Sequence, residues 1–276
     1  MQTGELYNIL EQQYFGEGMH EKDEIEHLPE LLKGVSVFVD VGASLGQYSF
    51  FANRTLKNGT IYCVEADPVR IQRLRELASE WAKNSSNKIT VIHAAAAEKI
   101  GRVEFFRTNA NVSGGLFAHD PGDRAVQEPL EWTKSDVECI TLDSMFKELD
   151  PDLIKIDVEG CEYRVLAGAR GILEAGKCRF LVEVHPWGDE SVKKMPSDIF
   201  KFFNHFGYGF KRTHRHWLFE KSHRPVRRFV RIKIIVLILQ NPWLKAAAKK
   251  CALTMYALRK TPRPGPCHPR DPVSQS

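Results

Sequence analysis

Apolar residues in this chain fall into short β-branched runs, separated by longer stretches where they recur every three or four positions. The first run, residues 36–41 with Val37, Phe38, Val39 and Val41, carries the acid Asp40 next to its end and meets Gly42-Ala43-Ser44-Leu45-Gly46. Helical spacing follows to about residue 56, and Asn58-Gly59 makes a turn. Residues 60–65 form a second run, ending in Glu65. Ala66-Asp67-Pro68 then opens a helical stretch over 69–83, with an acid and a proline where a helix start wants them. A third run covers 89–94. Strand and helix alternating this way predict the first half of a doubly wound α/β sheet.

Regularity lapses after residue 100. Residues 101–106 and 137–142 read as paired excursion strands, and the stretch from 109 to 136 between them has no period. A loop that long in a folded domain is expected to be functional, here as a lid facing substrate. The second half resumes with a strand over 152–157, a helix over 162–175 and a fifth strand over 179–185, stopped by Pro186. A helix over 197–206 and a hairpin from 208–211 and 216–220 complete the sheet. Residues 1–34 read as a polar helical cover, 35–221 as the main domain, and 222–276 as a basic and apolar extension with a Pro-rich, disordered end.

Composition narrows the class. The 276 residues are 43% hydrophobic and 27% charged, enough for a substantial core, and the net charge of +4 is concentrated beyond Lys211. Nothing resembles a nucleic-acid-binding motif. The six cysteines show no CxxC pair, the N-terminus has no signal-peptide pattern, and a reducing cytoplasmic setting is expected. Basic residues of the extension, among them Arg227, Arg228, Arg231 and Lys233, interleave with Phe229, Ile234 and Trp243. They suit either docking within an oligomer or peripheral contact with an anionic membrane face. The apolar stretch at 229–239 is too short to span a bilayer.

The glycine turn satisfies two motifs. As G-x-S-x-G it would present Ser44 as a nucleophile, with Asp157 and His185 following in hydrolase order. That elbow, however, belongs deep within its sheet, whereas this turn follows the first strand. As a cofactor turn it has Asp40 just before Gly42 and Glu65 roughly twenty residues further on, where a carboxylate can accept both ribose hydroxyls. The third glycine of the dinucleotide fingerprint is missing, so a pyrophosphate is poorly served. A ribose with a short amino-acid arm fits better, which points to S-adenosylmethionine.

The segments Phe38-Val39-Asp40-Val41-Gly42-Ala43, Val64-Glu65-Ala66-Asp67-Pro68, Ile140-Thr141-Leu142-Asp143, Leu153-Ile154-Lys155-Ile156-Asp157-Val158-Glu159-Gly160 and Val182-Glu183-Val184-His185 carry a resemblance. Over residues 35–185 the chain resembles the FkbM family of S-adenosylmethionine-dependent methyltransferases. The resemblance implies a Rossmann-like, class I fold: a seven-stranded, mostly parallel sheet with a terminal antiparallel hairpin and helices on both faces. It also implies O-methylation of a hydroxyl on a sugar, glycan or secondary metabolite. Another adenosyl-cofactor transferase, or a non-catalytic adenosyl-binding module, is the alternative.

Roles follow from charge. A sulfonium loses its positive charge in the transition state, so a carboxylate directly against it would stabilise the ground state more. Asp40 is therefore expected at the ammonium end of the cofactor, through water, and Glu65 at the ribose. Gly42, Ala43 and Gly46 line the turn, Ala66 follows the ribose acid, and backbone at Ala94 and Ala95 faces adenine; Asp67 caps its helix. Lys155, inside an apolar strand, needs a partner, and a Lys155–Glu183 pair is expected. Asp157, Glu159 and His185 are left around the acceptor, with His185 as base and Asp157 positioning it or the ligand. The same three could hold a divalent ion, a possibility the residue types leave open.

Overall fold

The computed structural model describes residues 22–108, 132–185 and 193–222, all within the unit Met1–Arg227. Expectations for the leader before Lys22, the loop over 109–131 and the extension from 223 onward lie outside the described residues.

A helix, α1 (Lys22–Leu31), precedes β1 (Val37–Val41), α2 (Gln47–Thr55), β2 (Thr60–Glu65), α3 (Arg70–Ala82) and β3 (Lys88–His93). The two-residue β4 (Ala95–Ala96), β5 (Gly101–Thr108), β6 (Trp132–Ile140) and short α4 (Leu142–Met145) follow. Then come β7 (Leu153–Ile156), α5 (Glu162–Ala167), α6 (Arg170–Ala175), β8 (Arg179–Val182), α7 (Pro196–His205), β9 (Tyr208–Arg212) and β10 (Trp217–Lys221).

Seven strands form one sheet in the order β3-β2-β1-β7-β8-β10-β9. The first five run parallel, while β10 is antiparallel to both β8 and β9. Chain order reverses between β1 and β7, which opens a crevice at their C-terminal ends, where such sheets bind ligands. All five residues of β1 are buried, as expected of a strand covered on both faces.

On one face, Ile25 and Leu28 of α1 pack with Tyr48 and Phe51 of α2, Leu74 and Trp81 of α3, and Phe38 and Ile61 of the strands. Around the terminal hairpin the packing is aromatic: Phe203 of α7 stacks on Phe219 of β10 with ring centroids 3.8 Å apart. Cys63, Cys139, Cys161 and Cys178 are buried and fill the core as small apolar residues. Among the described residues no helix is long and apolar enough to cross a membrane.

Three details differ from the sequence reading. β5 and β6 pair antiparallel as expected, but with β4 they make a separate three-stranded sheet. β6 stops at Ile140 because the Thr141 side chain accepts a hydrogen bond from Ser144 N at 3.0 Å and starts α4. The helix expected over 162–175 is two helices. Gly168 sits so close to the Ala97 carbonyl that an added Cβ would lie 2.1 Å from its oxygen, and the chain re-aims there.

Candidate active site

The turn after β1 is built on two left-handed glycines, Gly42 (φ 74°) and Gly46 (φ 83°), with Ser44 (φ 52°) between them. Both glycines are required by packing. A Cβ on Gly42 would lie 1.8 Å from the Asp157 carbonyl oxygen, and one on Gly46 would meet Leu74 and Trp81. The amides of Gly42 and Ala43 donate to Val64 O at the end of β2.

Glu65 closes this turn from β2. Its Oε2 accepts from Ser44 N at 2.5 Å and its Oε1 from Asp67 N at 2.8 Å. Burial pushes the Glu65 carboxyl up, against the pull of those two amides and of Arg70. Asp67 Oδ1 accepts from the amides of Val69 and Arg70, the helix-starting role read from the sequence. Its Oδ2 faces Arg107 of β5 at 3.4 Å and Arg70 at 3.7 Å. Ala94 N donates to Glu65 O, the buried Ala95 begins β4, and Ala66 O lies 3.2 Å from His93 Nε2. Ser44 Oγ accepts from Arg70 at 3.1 Å rather than meeting a histidine, so G-x-S-x-G builds no nucleophile elbow here.

Beneath the turn lies a buried charge chain. Asp40, with no exposed surface, accepts from Ser49 N and Ser49 Oγ through Oδ2, and its Oδ1 is 3.4 Å from Lys155 Nζ. Lys155 Nζ also lies 3.3 Å from Asp157 Oδ2, donates to Gly42 O at 3.2 Å, and sits 4.8 Å from the centre of the Tyr48 ring. The expected Lys155–Glu183 pair is therefore corrected. Lys155 is level with Leu181 on β8, two residues short of Glu183, and with Asp40 on β1, so it pairs across β1. Glu183 meets Arg215 at 3.3 Å instead.

The third group stands at the ends of β7 and β8. His185 Nδ1 hydrogen-bonds Glu162 Oε1 at 2.7 Å, while Nε2 lies 3.5 Å from Glu159 Oε2 and 3.9 Å from Asp157 Oδ1. Glu159 (φ 55°) and Gly160 (φ 99°) form the tight turn that swings this loop back, and Gly160 N donates to Glu162 Oε1. The structure thus brings together all three residues expected around the acceptor.

Electrostatics changes the role expected of His185. Burial opposes its charge, but Glu162 first, then Asp157 and Glu159, raise its pKa to about 10. A histidine held protonated donates rather than accepts, so His185 is not a ready base at neutral pH. Burial also works against the Asp157 charge, yet Lys155, His185 and His216 hold that carboxyl well below the usual range.

The sequence reading passed over Glu162, Lys155 and His216 as site residues. Glu162 could have been found, since it stands two residues beyond the quoted stretch that ends at Gly160. His216 comes from the far hairpin, and no local signal points to it.

The FkbM methyltransferase domain matches residues 40–210, more than half of the chain. The chain belongs to the FkbM methyltransferase family. No curated protein matches it. A solved FkbM methyltransferase from Methylobacillus flagellatus is 19% identical with a TM-score of 0.45; the match covers 67% of this chain and 43% of that one. The chain thus spans less than half the length of that relative. The magnesium protoporphyrin IX methyltransferase of Synechocystis, solved with bound SAM, is 12% identical over 79% of this chain and 88% of its own, at a TM-score of 0.40. A putative caffeoyl-CoA O-methyltransferase from Staphylococcus aureus is 8% identical over 79% and 91%, at 0.43.

Proposed function

We propose that this chain transfers a methyl group from S-adenosylmethionine to a hydroxyl of a sugar, glycan or related secondary metabolite. The observation that carries the reading is the meeting, across Gly42, of a glycine turn closed by Glu65 with the Asp157–Glu159–His185 group. The donor set fits the ligand. Each Glu65 oxygen accepts one amide, and an ionised carboxylate has further lone pairs for ribose hydroxyls.

In this reading the turn over Gly42, Ala43 and Gly46 holds the amino-acid arm, Glu65 the ribose, and the chain at Ala94 and Ala95 borders the base. The cofactor supplies an electrophilic methyl on a sulfonium. Asp40 works through Ser49 and Lys155 rather than by direct contact. Lys155, shared between Asp40 and Asp157, offsets carboxylate charge that would otherwise favour the ground state. Glu159, at 29% the most exposed of the three acceptor-side groups, takes the hydroxyl proton, with Asp157 and His185 beside it.

Calorimetry with S-adenosylhomocysteine, followed by transfer of a labelled methyl to a panel of glycosides and hydroxylated polyketides, tests this. Binding with transfer to a hydroxyl is expected. Absence of binding would overturn the reading, and binding without transfer to any hydroxyl would favour a non-catalytic adenosyl-binding module.

A further inference from the structure

We infer that Asp157, Glu159 and His185 form a binding site for one divalent cation of the Mg2+ or Mn2+ type. One carboxylate oxygen from each acid and one imidazole nitrogen all lie within 4.8 Å of one another. Nε2 is the nitrogen turned toward both acids, at 3.5 Å and 3.9 Å. Metal–ligand bonds of about 2.1 Å place neighbouring donors roughly 3 Å apart, so an ion needs only a small inward movement of these side chains.

The surroundings are those of a metal-bound histidine. Nδ1, the nitrogen away from the acids, is held at 2.7 Å by Glu162, itself 1% exposed and anchored by Gly160 N. A carboxylate on the far side of a ligating histidine fixes the ring and raises its basicity toward the metal. The two carboxylate oxygens suit Mg2+ and Mn2+, and the single imidazole favours Mn2+ of the two.

Asp157 also belongs to another donor group, with Glu183 and His216. His216 is fully buried, its Nδ1 is 3.6 Å from Glu24, and its Nε2 has no hydrogen-bond partner. The ion is assigned to the His185 side because positive groups already serve the other: Lys155 on Asp157 Oδ2 and Arg215 on Glu183.

The role of the ion rests on the proposed methyl transfer. It holds the acceptor hydroxyl and makes it more acidic. Binding of the ion releases the Nε2 proton of His185 to solvent; the hydroxyl proton then leaves to solvent through the Glu159 oxygen that does not hold the ion, the new O–CH3 bond forms as the S–CH3 bond breaks, and the sulfonium departs as a neutral thioether.

The test uses full-length protein stripped with a chelator and titrated with Mn2+ by electron paramagnetic resonance and with Mg2+ by calorimetry. One ion per chain is expected. Glu159→Gln and Asp157→Asn should bind at least tenfold more weakly, and Glu162→Gln about tenfold more weakly; Glu183→Gln should bind as wild type. S-adenosylhomocysteine binding by the same metal-free samples reports folding and tests the cofactor reading separately. Wild-type protein that takes up no ion overturns the inference. So does ion binding that survives Glu159→Gln and Asp157→Asn unchanged, or that is lost in Glu183→Gln but kept in Glu159→Gln.

Discussion

Lys155 on β7 and Asp40 on β1 stand directly opposite each other in the parallel ladder, 3.4 Å apart and both buried. The pair ties the two strands between which chain order reverses. Removing one member of a buried ion pair leaves an uncompensated charge, which typically costs about 3–5 kcal/mol. Lys155→Met should therefore be strongly destabilised in urea unfolding, and Lys155→Met with Asp40→Asn should recover part of that loss. A single variant as stable as wild type would show that the pair does not hold the strands.

Gly42 and Gly46 should respond differently to alanine. At Gly42 the new Cβ meets backbone 1.8 Å away, whereas at Gly46 it meets side-chain ends of Leu74 and Trp81. Both pay for their positive φ. Gly42→Ala should lose S-adenosylhomocysteine binding at least tenfold by calorimetry and melt at lower temperature, and Gly46→Ala should bind better than Gly42→Ala.

Glu65 and Asp67 separate cofactor contact from helix starting. Hydrogen bonds to a charged group contribute about 1.5–3 kcal/mol, so Glu65→Gln should weaken S-adenosylhomocysteine binding roughly tenfold or more. Asp67→Asn keeps an acceptor for the α3 amides and should bind within a few-fold of wild type. Equal losses in the two variants would contradict the ribose assignment.

Glu24 gives the protein a measurable acid limit. Burial pushes its carboxyl up, but His216, Thr213 and the Arg215 amide outweigh that and lower its pKa from 4.5 to about 2. The stabilisation is complete above pH 4.5 and disappears as pH falls toward about 2. The melting-temperature gap between wild type and Glu24→Gln should hold steady above pH 4.5 and close below it. A constant gap down to pH 2.5 would mean that Glu24 gains nothing from its charge.

Periodicity and turn chemistry made the seven-stranded sheet readable. Asp67-Pro68 opened α3, Asn58-Gly59 turned toward β2, and the antiparallel hairpin lay in the two short runs read over 208–211 and 216–220. The Lys155 partner was not readable, because it depends on register: two acids were available on neighbouring strands, and alternation alone does not say which is level with the lysine. Gly168 was hidden for a related reason. Residues 162–175 have the period of one helix, and only the approach of Ala97 interrupts it. At the site, the residue types around the acceptor were visible, but the proton on His185 was not. That proton depends on Glu162 facing Nδ1, a contact between a helix start and a strand end.

Thr108 and Trp132 are paired partners at the described end of the β5–β6 ribbon. The ribbon belongs to its own three-stranded sheet, and Arg107, next to that end, faces Asp67 beside the proposed cofactor turn. A change of register at that described end would therefore leave the pairings among the described strands of the seven-stranded sheet as they are.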